Sequence, residues 1–266
     1  MKWKTGLAVA AAMAAILPGM AAAQTASFRD PAGDDKGPGT YTYPTDMAYK
    51  PGSFDLTGLD VSLIGEKVEF AATMRSTLED PWRMGVGFSV QMLMVFVRTG
   101  TGRHVDAPPG LNVKFAAPGW DKVIILSPQT PARVRAEVAA KAGLLASDII
   151  VPERTKGAGN RISAAVPRAA LGGGSPRDWS YQVVVLGNEG FPSGRDLLTR
   201  RVNEYNGQHR FGGGTDSDCD PNVMDILAGL AVGGSSEVAA QRAALSYECE
   251  VDGSTLKMAT LPMLRP

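Results

Sequence analysis

Two histidines and two cysteines in 266 residues leave little material for zinc, iron–sulfur or covalent haem sites. No Cys-x-x-Cys-His string occurs, which excludes the usual covalent haem attachment. Net charge is missing too, because 27 Lys and Arg balance 27 Asp and Glu. Without a basic surplus nothing neutralises a phosphate backbone, so a general nucleic-acid partner is not expected. There is no G-x-S-x-G elbow. Gly212-Gly213-Gly214 leads into acidic residues that would repel phosphate. His104 and His209 stand in unrelated loops, so no nucleophile–base arrangement is legible and no catalysis is expected. A pair of carboxylates is the one catalytic arrangement that a single sequence leaves open. After the N-terminus no apolar run is long enough to span a bilayer.

What the chain has in quantity is turn chemistry. Its 31 Gly and 18 Pro argue against a helical bundle, while 44% hydrophobic residues suffice for a core. The first residues read as an export signal. Lys2 and Lys4 precede an apolar run from Leu7 to Leu17, and Ala21-Ala22-Ala23 offers small residues for cleavage before Gln24. A short membrane anchor is the alternative. The expected domains are a signal over 1–23 and one β domain over 24–266, in the periplasm or outside the cell. Without Lys2 and Lys4 that domain is slightly acidic. Export places Cys219 and Cys249 in an oxidising compartment, where they are expected to form a disulfide; two separate buried thiols are the alternative.

Residues 24–58 are polar and turn-rich, yet their Tyr and Phe content predicts packing on the domain. Leu59–Leu63 and Val68–Ala71 alternate around Gly65-Glu66, which predicts a hairpin with one buried face. Further strands are predicted at Phe88–Val97, Asn112–Phe115, Lys122–Leu126, Ile162–Val166 and Ser180–Leu186, the last with the β-branched density of a central strand. Ala132–Leu145 predicts a short helix. Asp220 as N-cap, with Pro221 at the first helical position, predicts a helix carrying Val223, Ile226 and Leu227. Ser236 predicts a second one through Ala244, before two closing strands near Ser246–Val251 and Thr255–Leu261.

Three groups could carry chemistry. Asp30, Asp34 and Asp35, with Asp46 and Asp55 behind them, suit calcium, a hard cation that takes six to eight oxygens from irregular loops. Turn-closing aspartates are the alternative. Asp216-Ser217-Asp218-Cys219-Asp220 imitates an EF-hand start but has Pro221 at the obligatory Gly and Leu227 at the bidentate Glu. Trp82 and Trp120 sit in turn-like strings and are candidates for stacking on sugar rings, with structural packing as the alternative; Trp179 leads a buried strand and reads as core.

Several strings resemble the C-terminal domain of glucodextranase and related amylopullulanases. The opening is Phe28-Arg-Asp-Pro-Ala-Gly-Asp-Asp-Lys-Gly-Pro-Gly-Thr-Tyr-Thr-Tyr-Pro44. Pro51-Gly-Ser-Phe-Asp-Leu56, Asp80-Pro-Trp82, Gly87-Phe-Ser-Val-Gln91, Pro109-Gly-Leu-Asn112, Gly119-Trp-Asp121 and Asp220-Pro-Asn-Val-Met-Asp-Ile-Leu227 follow in the family's order. The resemblance implies a mainly β, immunoglobulin- or jelly-roll-like sandwich, similar to family-nine carbohydrate-binding modules, with one or two short helices near the C-terminus. It also implies a non-catalytic role in binding polysaccharide or cell-envelope glycan, and structural calcium near the acidic segment. Pro131–Thr155 departs from the family pattern. The same broad fold group implies an alternative: a periplasmic electron-transfer subunit holding haem b, similar to the haem subunit of ethylbenzene-dehydrogenase-like complexes. Its axial ligands would come from Met84, Met92, Met94, Lys114 or a His.

Overall fold

The computed structural model describes residues 1, 25–215, 217, 219–229 and 236–266. The predicted export signal, Asp216 and Asp218 lie outside the described residues. In chain order the strands and helices begin with β1 (Thr25–Arg29), β2 (Leu56–Ile64), β3 (Lys67–Met74), β4 (Gln91–Arg98), β5 (Val113–Phe115) and β6 (Lys122–Leu126). Then come α1 (Pro131–Lys141), β7 (Ile149–Ile150), β8 (Thr155–Ala158), β9 (Arg161–Pro167) and β10 (Ser180–Gly187). The chain closes with β11 (Asp225–Ile226), α2 (Glu237–Ala244), β12 (Glu248–Cys249), β13 (Thr255–Lys257) and β14 (Ala259–Leu261).

Two five-stranded sheets carry the fold, ordered β1-β2-β3-β9-β8 and β11-β10-β4-β6-β7. The predicted hairpin is β2–β3, in register from Ile64↔Lys67 to Leu56↔Met74 with one irregularity near Gly58. Strand alternation explains the first sheet: Ile162, Ala164 and Val166 of β9 are buried, while Arg161 and Ala165 face solvent. Its buried face packs on Leu93, Val95, Val97, Val183 and Val185 of the second sheet. The outer face of the second sheet is covered too. Met92, Met94, Phe96, Val184 and Leu186 pack against Val134 and Val138 of α1, Phe115 of β5 and Leu261 of β14. Burial on both faces is why β4 and β10 read as continuous apolar runs rather than alternating ones. Each fully buried Val, Leu or Phe side chain contributes roughly 1.5–3 kcal/mol.

α1 starts where Thr130 caps the Arg133 N–H and Pro131 takes a first-turn position. α2 starts at the predicted cap, Ser236. The helix expected from Asp220 does not form. Asp220 turns its carboxylate back onto the Thr215 N–H and hydroxyl and the Tyr247 hydroxyl, not onto a helical first turn. Residues 223–227 instead add an edge to the second sheet, with Val185↔Asp225 and Val184↔Ile226 in register. Cross-strand pairing and burial override the local start signal there. Residues 25–58 pack on the domain as expected, with Tyr41, Phe54 and Leu56 almost fully buried. Cys219 and Cys249 form a disulfide. No helix among the described residues is long and apolar enough to cross a membrane.

Candidate functional site

The acidic segment after β1 is bent inward by its glycines. Gly37 sits at φ +56°, where a Cβ would collide with the Tyr41 ring. Its N–H donates to the Met224 carbonyl at 2.8 Å, which ties the segment to the β11 edge. Asp30 and Asp34 are thereby buried beside Asp225, and oxygens of the three carboxyls lie within 4.8 Å of one another. None of the four oxygens of Asp30 and Asp34 receives a hydrogen bond, nor does Asp55 Oδ1 or Glu237 Oε2. The neighbouring oxygens are occupied. Asp225 accepts the Leu56 N–H at 2.7 Å and the Ile226 N–H at 2.8 Å, and Glu237 accepts the Ala228 N–H at 2.7 Å. Asp55 accepts the Gly33 N–H at 2.8 Å.

Helix α2 closes the site with residues four apart, which share one face. Glu237 brings its carboxyl to Asp30 and Asp34. Gln241 donates to the Asp34 carbonyl at 2.5 Å and accepts the Ile226 N–H at 3.1 Å. The electrostatics follow from this crowding. Burial, then the charges of Asp225, Glu237 and Asp34, push Asp30 up to about 11. Burial and the Glu237 carboxyl push Asp34 up to about 8. Burial and Asp34 hold Asp225 well above the usual carboxylate range, and burial and Asp35 raise Asp55. Buried carboxyls without donors are costly unless protonated or paired with a cation, and a bound cation inverts their pKa order. The donor set is all oxygen, which fits a hard divalent ion such as calcium and not a thiolate- or imidazole-seeking metal.

Asp35 departs from the expected trio. Its carboxylate accepts the Tyr43 hydroxyl, whose oxygen in turn accepts the Phe54 N–H at 3.0 Å. Asp225 and Glu237, which the sequence reading passed over, stand among the carboxylates instead. Asp46 lies elsewhere, closing its own turn on the Ala48 N–H at 2.9 Å.

Trp120 is not a surface ring. It is fully buried against Phe96 and Phe115, and its Nε1 donates to the Asp106 carbonyl at 3.1 Å. The Pro-Gly turn before it tucks the ring under the second sheet, so the stacking expectation fails for this residue. Trp82 is half-buried. Its ring meets the edges of Tyr49 and His209 at 6.0 and 6.2 Å, with the Arg200 guanidinium 5.9 Å from its centre. Trp179 is core, as expected. The candidate haem ligands are dispersed: Met92 and Met94 are fully buried in the outer core, Lys114 is exposed on β5, and Met84 lines a separate cleft near α1.

Asp30 and Asp34 stand on the loop after β1, Asp225 on β11 and Glu237 on α2. The chain belongs to the glucodextranase C-terminal family: the model of the SLH-like C-terminal binding module of glucodextranase matches residues 25–263. The family is one of binding modules rather than catalytic domains. No curated protein matches the chain.

Proposed function

We propose that this chain is an exported, non-catalytic module that binds a polysaccharide or cell-envelope glycan and is stabilised by calcium. The family match carries the reading, because it covers both sheets and all the loops around Trp82. Trp82 is the stacking candidate, since an aromatic face suits the C–H face of a pyranose, and the Arg200 guanidinium, bound to the Asn188 and His209 carbonyls, holds its ring in place. Asp30, Asp34, Asp225 and Glu237 would hold the cation, which would supply charge neutralisation and cross-link the N-terminal segment to α2 and β11. The test is retention on insoluble polysaccharides and a glycan array, with the wild type in calcium beside Trp82→Ala. Retention of at least one polysaccharide, weakened in Trp82→Ala, supports the reading. Failure to retain any polysaccharide overturns it.

A further inference from the structure

The turn that presents Asp34 to the carboxylate cluster also builds the end of a groove. Residues 33–52 and Arg75 line an open groove of about 570 Å³, in which Tyr43 and Pro51 expose apolar surface, Asp35 joins the wall, and Lys36 and Arg75 stand at the rim, with Tyr41 and Tyr49 buried behind them. Ligand pockets typically measure about 300–1,000 Å³ and combine apolar walls with a few convergent polar groups. The Tyr41 hydroxyl donates to the Pro221 carbonyl at 2.9 Å, and that of Tyr43 is committed to Asp35. Tyr43 therefore offers the groove part of its ring rather than its hydroxyl, while Tyr41 backs it from the core. Lys36 is exposed and has no ion-pair partner among the described residues, and the Arg75 side chain is more than half exposed. A small apolar floor of Tyr43 and Pro51 with donors at the edge matches one pyranose face: C–H groups on the Tyr43 ring, hydroxyls on the cations. Behind this floor the buried Tyr49 ring packs edge-on against Trp82.

The groove and the carboxylates share their backbone. Gly33 lines the groove, and its N–H is held by Asp55, which also meets Arg75 at 3.3 Å. The Lys36 N–H donates to the Asp34 carbonyl at 2.7 Å, and Gln241 clasps the same carbonyl from α2. Whatever positions Asp34 therefore positions Lys36. Resting on the glycan-binding reading above, we infer that this groove is a neutral-oligosaccharide site whose affinity is coupled to cation occupancy of the Asp30–Asp34–Asp225 cluster. Coupling between two sites is reciprocal, so the sugar strengthens calcium binding by the factor that calcium strengthens sugar binding.

The experiment is titration calorimetry of the whole chain with maltohexaose, cellohexaose, xylohexaose and chitohexaose, in saturating calcium and in EDTA, with circular dichroism confirming the fold. Chelation is expected to weaken the best of these by about tenfold, and that sugar to tighten calcium by the same factor. Lys36→Ala, measured in calcium so that folding of the metal-free state is not at issue, is expected to weaken the sugar about fivefold without lowering Tm. Equal sugar affinity in calcium and EDTA overturns the coupling. Unchanged affinity in Lys36→Ala, with loss in Trp82→Ala, overturns the groove and leaves glycan binding at Trp82 intact. No binding of any hexasaccharide, with no polysaccharide retained by the wild type, removes the glycan reading and the groove together.

Discussion

Asp30→Asn should change stability in opposite directions with and without calcium. Neither oxygen of Asp30 has a hydrogen-bond donor, and its neighbours Asp225, Glu237 and Asp34 are all acids. In calcium at about 100 times its dissociation constant, the wild type gains about 2.7 kcal/mol from binding. For a chain of this size that is worth about 5–11 °C in Tm. Asparagine removes one charged ligand, so most of this gain should vanish. In EDTA the sign reverses. The wild type must then take up a proton on Asp30 to bury it among other carboxyls, whereas the amide is neutral without one and can donate to Asp34 or Glu237. The variant should be more stable there by about 1–2 kcal/mol, or roughly 2–8 °C.

The assay is a thermal melt of both proteins under both conditions. Crossing curves are the expected result. A wild-type Tm that is the same in calcium and EDTA to within about one degree, with Asp30→Asn destabilised equally in both, refutes the reasoning. That result would mean that protonation, not a cation, settles the cluster.

Trp120→Ala should cost about 3–5 kcal/mol in a urea or thermal melt, since it empties a site between Phe96 and Phe115. Glycan retention per folded molecule should be unchanged, and selective loss of binding would show that the ring reaches ligand. The Cys219–Cys249 bridge closes a loop spanning 30 residues, so Cys219→Ser/Cys249→Ser should lose about 3–4 kcal/mol. Because α2 lies inside that loop and supplies Glu237, calcium affinity by calorimetry should fall as well. Asp148 is buried, which disfavours its charge, yet hydrogen bonds from Lys122 and His104 and the charges of Lys122 and Arg103 outweigh this and hold its pKa below the usual value. A depressed carboxylate stabilises the fold above its unfolded pKa of about 3.9 and loses that contribution as pH falls through its folded value. The Tm gap between wild type and Asp148→Asn should therefore stay constant from about pH 5 to 7 and close below about pH 4; a gap that widens in acid would contradict the assignment.

The parts of the fold that were legible in the sequence are those with local causes. Alternation in Leu59–Leu63 and Val68–Ala71 is a face-by-face record of one buried side, and β2 and β3 form there. The unbroken apolar run Tyr181–Leu186 announces burial on both faces, which α1, β5 and β14 supply. Ser236 caps α2 because capping needs only the next three residues. What failed had distant causes. Pro118-Gly119-Trp120 carries the turn chemistry of an exposed loop, but where a turn points is decided by the sheet it folds onto. Asp220-Pro221 carries the start signal of a helix, yet β10 offers Val223–Leu227 an edge to pair with and two cores to fill.

Half of the carboxylate site was hidden for the same reason: Asp30 and Asp225 are neighbours only after the sheets have packed, and Gln241 reaches Asp34 across 207 residues. One signal was nevertheless present. Asp225 stands inside Val223-Met224-Asp225-Ile226-Leu227, a run too apolar to be left in water whether helix or strand. A carboxylate carried into a core by such a run needs a proton or a counter-charge, and residues 221–229 contain no Lys or Arg to provide the latter. Two hydrogen bonds from Leu56 and Ile226 satisfy its oxygens as acceptors but bring no positive charge, and no donor reaches the carboxyl oxygens of Asp30 or Asp34. Three carboxyls converging on one point from two ends of the chain must share protons or a cation, and the calcium and EDTA melts of Asp30→Asn separate the two.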